Sequence, residues 1–425
     1  MTQPDLKVTT LPNGLRVITD RVPSVESVAV GVWAGVGTRN ENLSVNGAAH
    51  MVEHMLFKGT KSRNAREIVE TIENVGGHMN AYTGREVTSY HIHLLKENLP
   101  LALDVLADMV QHSIMPEDEI EQERNVILQE IGMCNDTPDD IIFDHYFETA
   151  YSQQALGAPI LGTSEIVAEM SRDVLMDYVK RLYTPSRLVV CASGNLEHDD
   201  FVRRVQDSFA ALPKCGNDNK KPASYTGGLE RRAPRDLEQS HIILGFQGIS
   251  RMDKDFYAAQ VLASLFGGGM SSRLFQEVRE KRGLVYSIYS FHSAYSDDGQ
   301  FGIYAGTGPD KLSELIPVVC DEILKLGESL SEEELARAKA QLRSTSLMAR
   351  ESMMTRADQN AKNLLLNGKV YTPDDIIAAI NAVDLPTLQG LCRRVFSSNP
   401  TLAALGPLDK LVTFDNVKKQ LAGYT

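Results

Sequence analysis

Apolar and polar positions alternate along the chain in a way that predicts strands interleaved with helices. Residues 28–34, VAVGVWA, have the alternation and β-branching of a strand, and residues 88–94, TSYHIHL, alternate similarly. Residues 15–19 follow a Pro-Asn-Gly turn, and we expect them to form the hairpin partner of 28–34. Helical patterns separate the strands, so the sequence predicts an α+β fold with helices packed on one face of an antiparallel sheet.

The same order of elements occurs twice. From Arg187 the chain reads as a buried strand, a glycine turn and an amphipathic helix, and the segment from Pro400 resembles it. Between the halves, residues 213–234 are rich in Pro, Gly, Asn and Lys and lack apolar periodicity. We therefore predict two homologous α/β-roll domains, residues 1–212 and 235–425, joined by a linker at 213–234.

Composition and charge argue against nucleic-acid binding and against a membrane span. The chain has 425 residues, enough for several domains, and a net charge of −13 that would repel phosphate backbones. Nucleic acid is therefore not an expected partner. Its best apolar run, residues 188–192, is far shorter than the roughly 20 residues needed to cross a bilayer, so we expect no membrane span.

One short segment has the pattern of a metal site. It runs from Asn46, a candidate helix N-cap, to Gly59, and contains His50-Met-Val-Glu53-His54. In a helix of about three turns, the two histidines and the glutamate share one face. Two imidazoles one turn apart can bind one zinc ion, and an adjacent carboxylate can activate a water molecule. Two solvent-exposed histidines on a helix are the alternative.

A zinc site needs a third protein ligand. A later acidic helix places Glu123 and Glu130 seven residues apart, and therefore on one face. One carboxylate could bind the metal while the other orients a histidine. The pattern alone does not choose between them.

These residues together resemble a known family. The motif at 50–54, the two later glutamates, GGHMNAYTGRE at 76–86 and GGGMSSRLFQEVREKRGLVYS at 267–287 are similar to the inverzincin (pitrilysin/insulinase-type) zinc metallopeptidases. Within that family the chain looks most like mitochondrial processing peptidase β-type subunits and their bacterial homologues. The likeness covers nearly the whole chain.

The resemblance assigns roles to the residues of the first half. It implies one Zn²⁺ per chain bound by His50, His54 and Glu130, with Glu123 as the carboxylate behind a ligand and Glu53 as the general base. The first domain would thus be the catalytic one.

The resemblance also implies where substrate binds. In the second half, Arg279 and Tyr286 match a pair that holds the substrate backbone near the scissile bond. Residues 77–83, which include Asn80 and Ala81, resemble an edge strand to which an extended peptide adds by main-chain pairing. Without the resemblance, the arginine would be read as a helix-end residue and the tyrosine as a packing residue.

The second domain lacks the metal motif. Alignment of the two halves puts Ala259, Leu262 and Ala263 where the first half has its two histidines and glutamate. The second roll would therefore be inactive and contribute substrate contacts. In relatives, two pairs of such rolls enclose a chamber, so we predict a homodimer with two sites.

The sequence therefore predicts a zinc metalloendopeptidase that cleaves unfolded or extended peptides inside a chamber, similar to a processing peptidase. A non-catalytic structural subunit and a peptide-binding chaperone with the same fold are the alternatives. The first residues show neither a signal peptide nor a transit peptide. We expect the cytoplasm of a bacterium, with the mitochondrial matrix as the alternative.

Overall fold

The computed structural model describes residues 5–212 and 221–424. These residues form two compact units, each assembled from three segments of the chain. The first unit takes its described residues from Met1–Gly132, Ala158–Lys221 and Met348–Thr372. The second takes them from Met133–Gly157, Pro222–Leu347 and Pro373–Thr425.

Strands and helices alternate through both units. The strands are β1 Asp5–Thr10, β2 Arg16–Arg21, β3 Ser27–Ala34, β4 His78–Thr83, β5 Thr88–Leu95, β6 Leu188–Gly194, β7 Glu230–Pro234, β8 Ser240–Gln247, β9 Ser287–Ala294, β10 Gly299–Thr307 and β11 Thr401–Gly406. The helices are α1 Ala48–Met55, α2 Ala65–Glu73, α3 Leu99–His112, α4 Glu117–Asp136, α5 Pro138–Ala150, α6 Ser164–Ala168, α7 Arg172–Leu182, α8 His198–Ser208, α9 Phe256–Gly267, α10 Leu312–Ser329, α11 Glu332–Met348, α12 Met353–Asn367, α13 Pro373–Ala382, α14 Leu385–Phe396 and α15 Phe414–Leu421. Among the residues that the structure describes, none of the helices has the length and apolar character of a membrane span.

The sheet of the first unit has the strand order β1-β2-β6-β3-β5-β4. Its neighbours are antiparallel except β2 and β6, which are parallel. The expected hairpin between residues 15–19 and 28–34 is wrong, because β6 lies between β2 and β3. Backbone pairing with a strand that is distant in the sequence has displaced the local partner.

Both faces of this sheet are covered, not one as expected. Along β6, Val190 and Ala192 point into one apolar core, whereas Val189 and Cys191 point into another on the opposite face. The second core is completed by α12, through side chains that include Ala357. All seven residues of β6 are buried for this reason, and its continuous apolar run reflects two covered faces.

The second unit repeats this design. Its sheet has the order β7-β11-β8-β10-β9, which matches the first sheet without β1, and β7 and β11 are again the parallel pair. Ile242 and Leu244 of β8 face one core, and Ile243 faces the other, to which Tyr146 of α5 contributes. The segments from Arg187 and from Pro400, aligned from sequence, form β6 and β11 at equivalent positions. Two related α+β domains are therefore present, as the sequence predicts.

The boundaries differ from the predicted contiguous halves. Residues 133–157, which contain α5, belong to the second unit, and residues 348–372, which contain α12, belong to the first. Each sheet has an apolar second face, and a helix from the other half of the sequence buries it. Within the predicted linker at 213–234, the last five residues form β7, and residues 213–220 lie outside the described part.

Candidate metal centre

Helix α1 carries the histidine motif and begins in an unexpected way. It starts after Gly47, whose φ of 98° lies in the left-handed region, and spans 8 residues, about two turns and not three. Asn46, the expected N-cap, does not cap it. Instead the buried carboxylate of Glu41 accepts hydrogen bonds from the backbone N–H of Gly47 at 3.0 Å and of Ala49 at 2.6 Å. The side chain of Asn46 donates to the same carboxylate at 3.0 Å.

Three predicted ligands converge on one point. Nε2 of His50 and Nε2 of His54 each lie 3.7 Å from Oε2 of Glu130 on α4. One ligand atom from each of the three residues falls within 4.8 Å of the others, and this is the one such group among the described residues. The helix α4 therefore meets α1 at the face that carries the histidines.

The donor set fits zinc. Two imidazole nitrogens and one carboxylate oxygen are typical ligands of a catalytic Zn²⁺ site, which leaves a fourth position for water or substrate. Ligand atoms at the usual 2.0–2.1 Å from a tetrahedral zinc are about 3.4 Å apart. The two histidine–glutamate spacings of 3.7 Å are close to this value, and all three ligand atoms lie within 4.8 Å of one another. The three residues would hold the ion without a change in fold.

Glu123 occupies the position that the pattern alone could not assign. Its Oε2 lies 2.8 Å from Nδ1 of His54, so it holds the ring with Nε2 on the side of Glu130, whose Oε2 is 3.7 Å away. Lys58 forms an ion pair with Oε1 of the same carboxylate at 2.5 Å. Burial opposes ionisation of Glu123, but its bonds to Lys58 and His54 outweigh burial and lower its pKa. Glu123 is thus kept as an anionic acceptor.

Glu53 lies beside this cluster on the same helix. Its carboxylate accepts a hydrogen bond from the hydroxyl of Thr83, at the end of β4, with a separation of 2.5 Å. Burial raises the pKa of Glu53, and the Thr83 hydrogen bond opposes that rise. Burial, and then the neighbouring His54, lower the pKa of His50 to about 4, so that its imidazole is neutral and able to bind a metal at neutral pH.

The predicted peptide-binding strand lies at the edge of the sheet. β4 pairs with β5 on one side, and no other strand of the described residues pairs with it. Asn80 is exposed on β4, and its side chain accepts a hydrogen bond from the backbone of Ala81 at 2.8 Å. This places both residues two or three positions before Thr83 on the strand that reaches Glu53.

Arg279 and Tyr286 belong to the second unit. The guanidinium of Arg279 lies over the ring of Phe275, 4.6 Å from its centroid, in a short π-helical turn. Tyr286 precedes β9 and is 75% exposed, so its phenol is available to a ligand. Their predicted role in substrate binding stays a prediction.

The positions aligned with the motif in the second half lie on α9. Ala259, Leu262 and Ala263 are buried in the apolar core of the second unit. They have no group that binds a metal.

The sequence pattern did not indicate the contacts that three residues of the first unit make at this site. Glu41 caps α1, Lys58 holds Glu123, and Thr83 contacts Glu53. Lys58 is four residues after His54, a spacing that puts both on one side of a helical turn and could have suggested it. Glu41 and Thr83 act from a loop and a strand, so helical periodicity gave no signal for either.

Comparison with family models gives two adjacent matches. Residues 16–164 match the model described as Insulinase (Peptidase family M16), and residues 169–342 match the Peptidase M16 inactive domain. The metal motif falls in the first match, and the aligned positions on α9 fall in the second.

Relatives of similar length come from bacteria. A Rickettsia felis protein described as an uncharacterized zinc protease is 41% identical over 95% of this chain and 98% of its own. The zinc protease YmxG of Bacillus subtilis, also described as uncharacterized, has the same identity and coverage, 41% over 95% and 98%.

Solved structures share the fold. A protease from Helicobacter pylori aligns with a TM-score of 0.87 at 24% identity, over 95% of this chain and 100% of its own. A chain in a complex III structure from Candida albicans aligns with a TM-score of 0.86 at 21% identity, over 98% and 99%.

Proposed function

The chain belongs to the insulinase-type peptidase family M16, and from this premise we propose that it is a zinc-dependent endopeptidase acting on unfolded or extended peptides. The observation that carries the proposal is the convergence of His50, His54 and Glu130 beside the carboxylate of Glu53. Relatives at 41% identity are described as zinc proteases, which supports zinc as the ion.

The residues around the cluster would each have a separate role in peptide hydrolysis. A zinc ion held there would polarise a peptide carbonyl and make a water molecule more acidic. Glu53 would take a proton from the attacking water and pass it to the leaving amine. Glu123 would keep His54 in the tautomer that presents Nε2.

An extended peptide fits the position of β4. The strand is at the sheet edge and leads directly to Thr83 and Glu53, so a peptide paired along it would approach the general base. Main-chain pairing accepts many sequences, which supports a broad substrate range. Arg279 and Tyr286 would donate hydrogen bonds to the substrate backbone near the scissile bond.

We further propose that the active form is a homodimer with a site in each chain, enclosing a chamber. The chain carries two rolls, and the family resemblance implies four around a chamber. We also propose a location in the bacterial cytoplasm; the relatives described above support the bacterial setting. Sedimentation of the active enzyme tests the assembly, since full activity in a monomer would contradict it.

The test of the function compares Glu53→Gln with wild type on an unstructured peptide. We expect turnover to fall by about 10²- to 10⁴-fold because the general base is lost, while zinc content stays at one per chain. Glu73→Gln, on the exposed face of α2, is a matched control that should retain full turnover.

Two outcomes would contradict the proposal. Cleavage by Glu53→Gln at the wild-type rate would exclude the assigned base. Absence of stoichiometric zinc in the wild type would favour the non-catalytic subunit, and zinc without chelator-sensitive cleavage would favour a chaperone.

A further inference from the structure

The hydroxyl of Thr83 contacts the carboxylate assigned as the general base. Thr83 Oγ1 donates to Oε2 of Glu53 at 2.5 Å. Among the described residues, Thr83 is the one side-chain hydrogen-bond donor to this carboxylate. The contact fixes one carboxylate oxygen and leaves Oε1 for proton transfer.

We propose that Thr83 is a positioning residue that orients Glu53 for catalysis and links it to the strand along which substrate pairs. This role rests on the proposed peptidase function. Thr83 itself touches no reacting atom, since it acts through Glu53.

The backbone of Thr83 is held from the turn that follows it. Gly84 donates to the carbonyl of Val87 at 2.8 Å, which closes the hairpin between β4 and β5. The N–H of Arg39 donates to the carbonyl of Arg85 at 2.9 Å, and its guanidinium forms a buried ion pair with Glu86 at 2.6 Å. These bonds fix the turn that follows Thr83, so the Thr83 hydroxyl is held in place to donate to Glu53.

The opposite face of β4 is also anchored. Successive strand residues point to opposite faces, so Tyr82 faces away from Glu53. Its hydroxyl donates to Asp358 on α12, and Nε1 of Trp33 donates to the same carboxylate at 3.0 Å. The end of β4 is therefore held on both faces. Thr83 bonds to Glu53 on one face, and Tyr82 bonds to Asp358 on the other.

This arrangement has a consequence for the substrate. A peptide that pairs along β4 would bond to the strand whose last residue holds the base. The register of the bound peptide and the direction of the Glu53 carboxylate are then set by the same strand, so that the scissile bond and the base are aligned together.

The experiment compares three variants of the zinc-loaded full chain. Thr83→Val removes the hydroxyl and keeps the shape, Thr83→Ser keeps a hydroxyl, and Thr88→Val is the matched control. Thr88 pairs directly with Thr83 across the hairpin, but its hydroxyl donates to the backbone carbonyl of Val36 at 3.1 Å. For each we would measure kcat and KM on an unstructured peptide, zinc content, and the conformation of Glu53 in crystals.

We expect Thr83→Val to lose kcat by about 10- to 100-fold, with KM and zinc content unchanged. In its crystal structure the Glu53 carboxylate should leave the wild-type position or occupy more than one conformer. Thr83→Ser should restore kcat and the single conformer. Thr88→Val should lower thermal stability but not kcat.

The role is refuted if Thr83→Val keeps the wild-type kcat, if it changes KM alone, or if Thr83→Ser is as impaired as Thr83→Val. The crystallographic comparison needs no turnover. If the wild type cleaves no peptide, the proposed function fails, and the conformation of Glu53 in Thr83→Val still decides whether Thr83 positions it.

Discussion

Replacing Glu41 by alanine should loosen the helix that carries the metal motif. Glu41 is 8% exposed, and its carboxylate accepts hydrogen bonds from the backbone N–H groups of Gly47 and Ala49 and from the side chain of Asn46. Without it, two backbone donors at the start of α1 lose their acceptor. Because Ala49 precedes His50, the change also disturbs the first metal ligand.

The size of the effect follows from these contacts. Each buried donor left without a partner costs about 1–3 kcal/mol, which gives about 2–6 kcal/mol for the two backbone groups. Burial raises the pKa of Glu41 to about 7, so its ionised form is itself costly to bury and part of the loss is offset. We therefore expect the free energy of unfolding to fall by about 2–3 kcal/mol.

Urea unfolding followed by tryptophan fluorescence measures this loss. The chain has 1 tryptophan, Trp33, which is buried in the first unit and reports that unit alone. Glu41→Gln retains one accepting oxygen and should lose an intermediate amount. Glu26→Ala, at an exposed side chain paired with Lys96, is the control and should change stability by less than about 0.5 kcal/mol.

Zinc affinity should follow the same order, because the histidines depend on the start of the helix. If Glu41→Ala unfolds at the same urea concentration as Glu26→Ala and binds zinc as tightly as wild type, the capping role assigned to Glu41 is refuted.

Further outcomes follow from other buried groups. Asp20→Ala should lower the free energy of unfolding by about 3–5 kcal/mol in urea, because it leaves Arg350 and Arg356, now 2.9 and 2.7 Å from its carboxylate, without their partner. Burial and nearby arginines lower the pKa of His145 to about 4. The stability that the neutral imidazole contributes is therefore complete above about pH 6.5 and is lost as the pH falls from there toward 4. In thermal unfolding at several pH values, His145→Gln should therefore lose less stability on acidification than wild type. Chelation should lower the urea midpoint of wild type but not of His50→Ala.

The sequence located the local elements and the metal motif well. Alternation placed β3 and β5, and the histidine spacing placed both imidazoles on one face of α1. The match between the segments from Arg187 and Pro400 identified the repeated roll. These features depend on residues close together in the chain, where periodicity carries the information.

The sequence did not predict which elements distant in the chain would pair or pack together. Nothing in the local pattern indicates that β6 lies between β2 and β3, or that α12 covers the first sheet. The continuous apolar run of β6 was the available signal for two covered faces. Glu41 displaced Asn46 as the cap of α1 for a similar reason, since a buried carboxylate from a preceding loop outcompeted a short local side chain.

Diffraction at the zinc absorption edge tests the central claim most directly. Crystals of the full chain grown with zinc should show one strong anomalous peak per chain, bonded to Nε2 of His50, Nε2 of His54 and the carboxylate of Glu130. Absence of a peak between these three side chains in the presence of excess zinc would contradict the account.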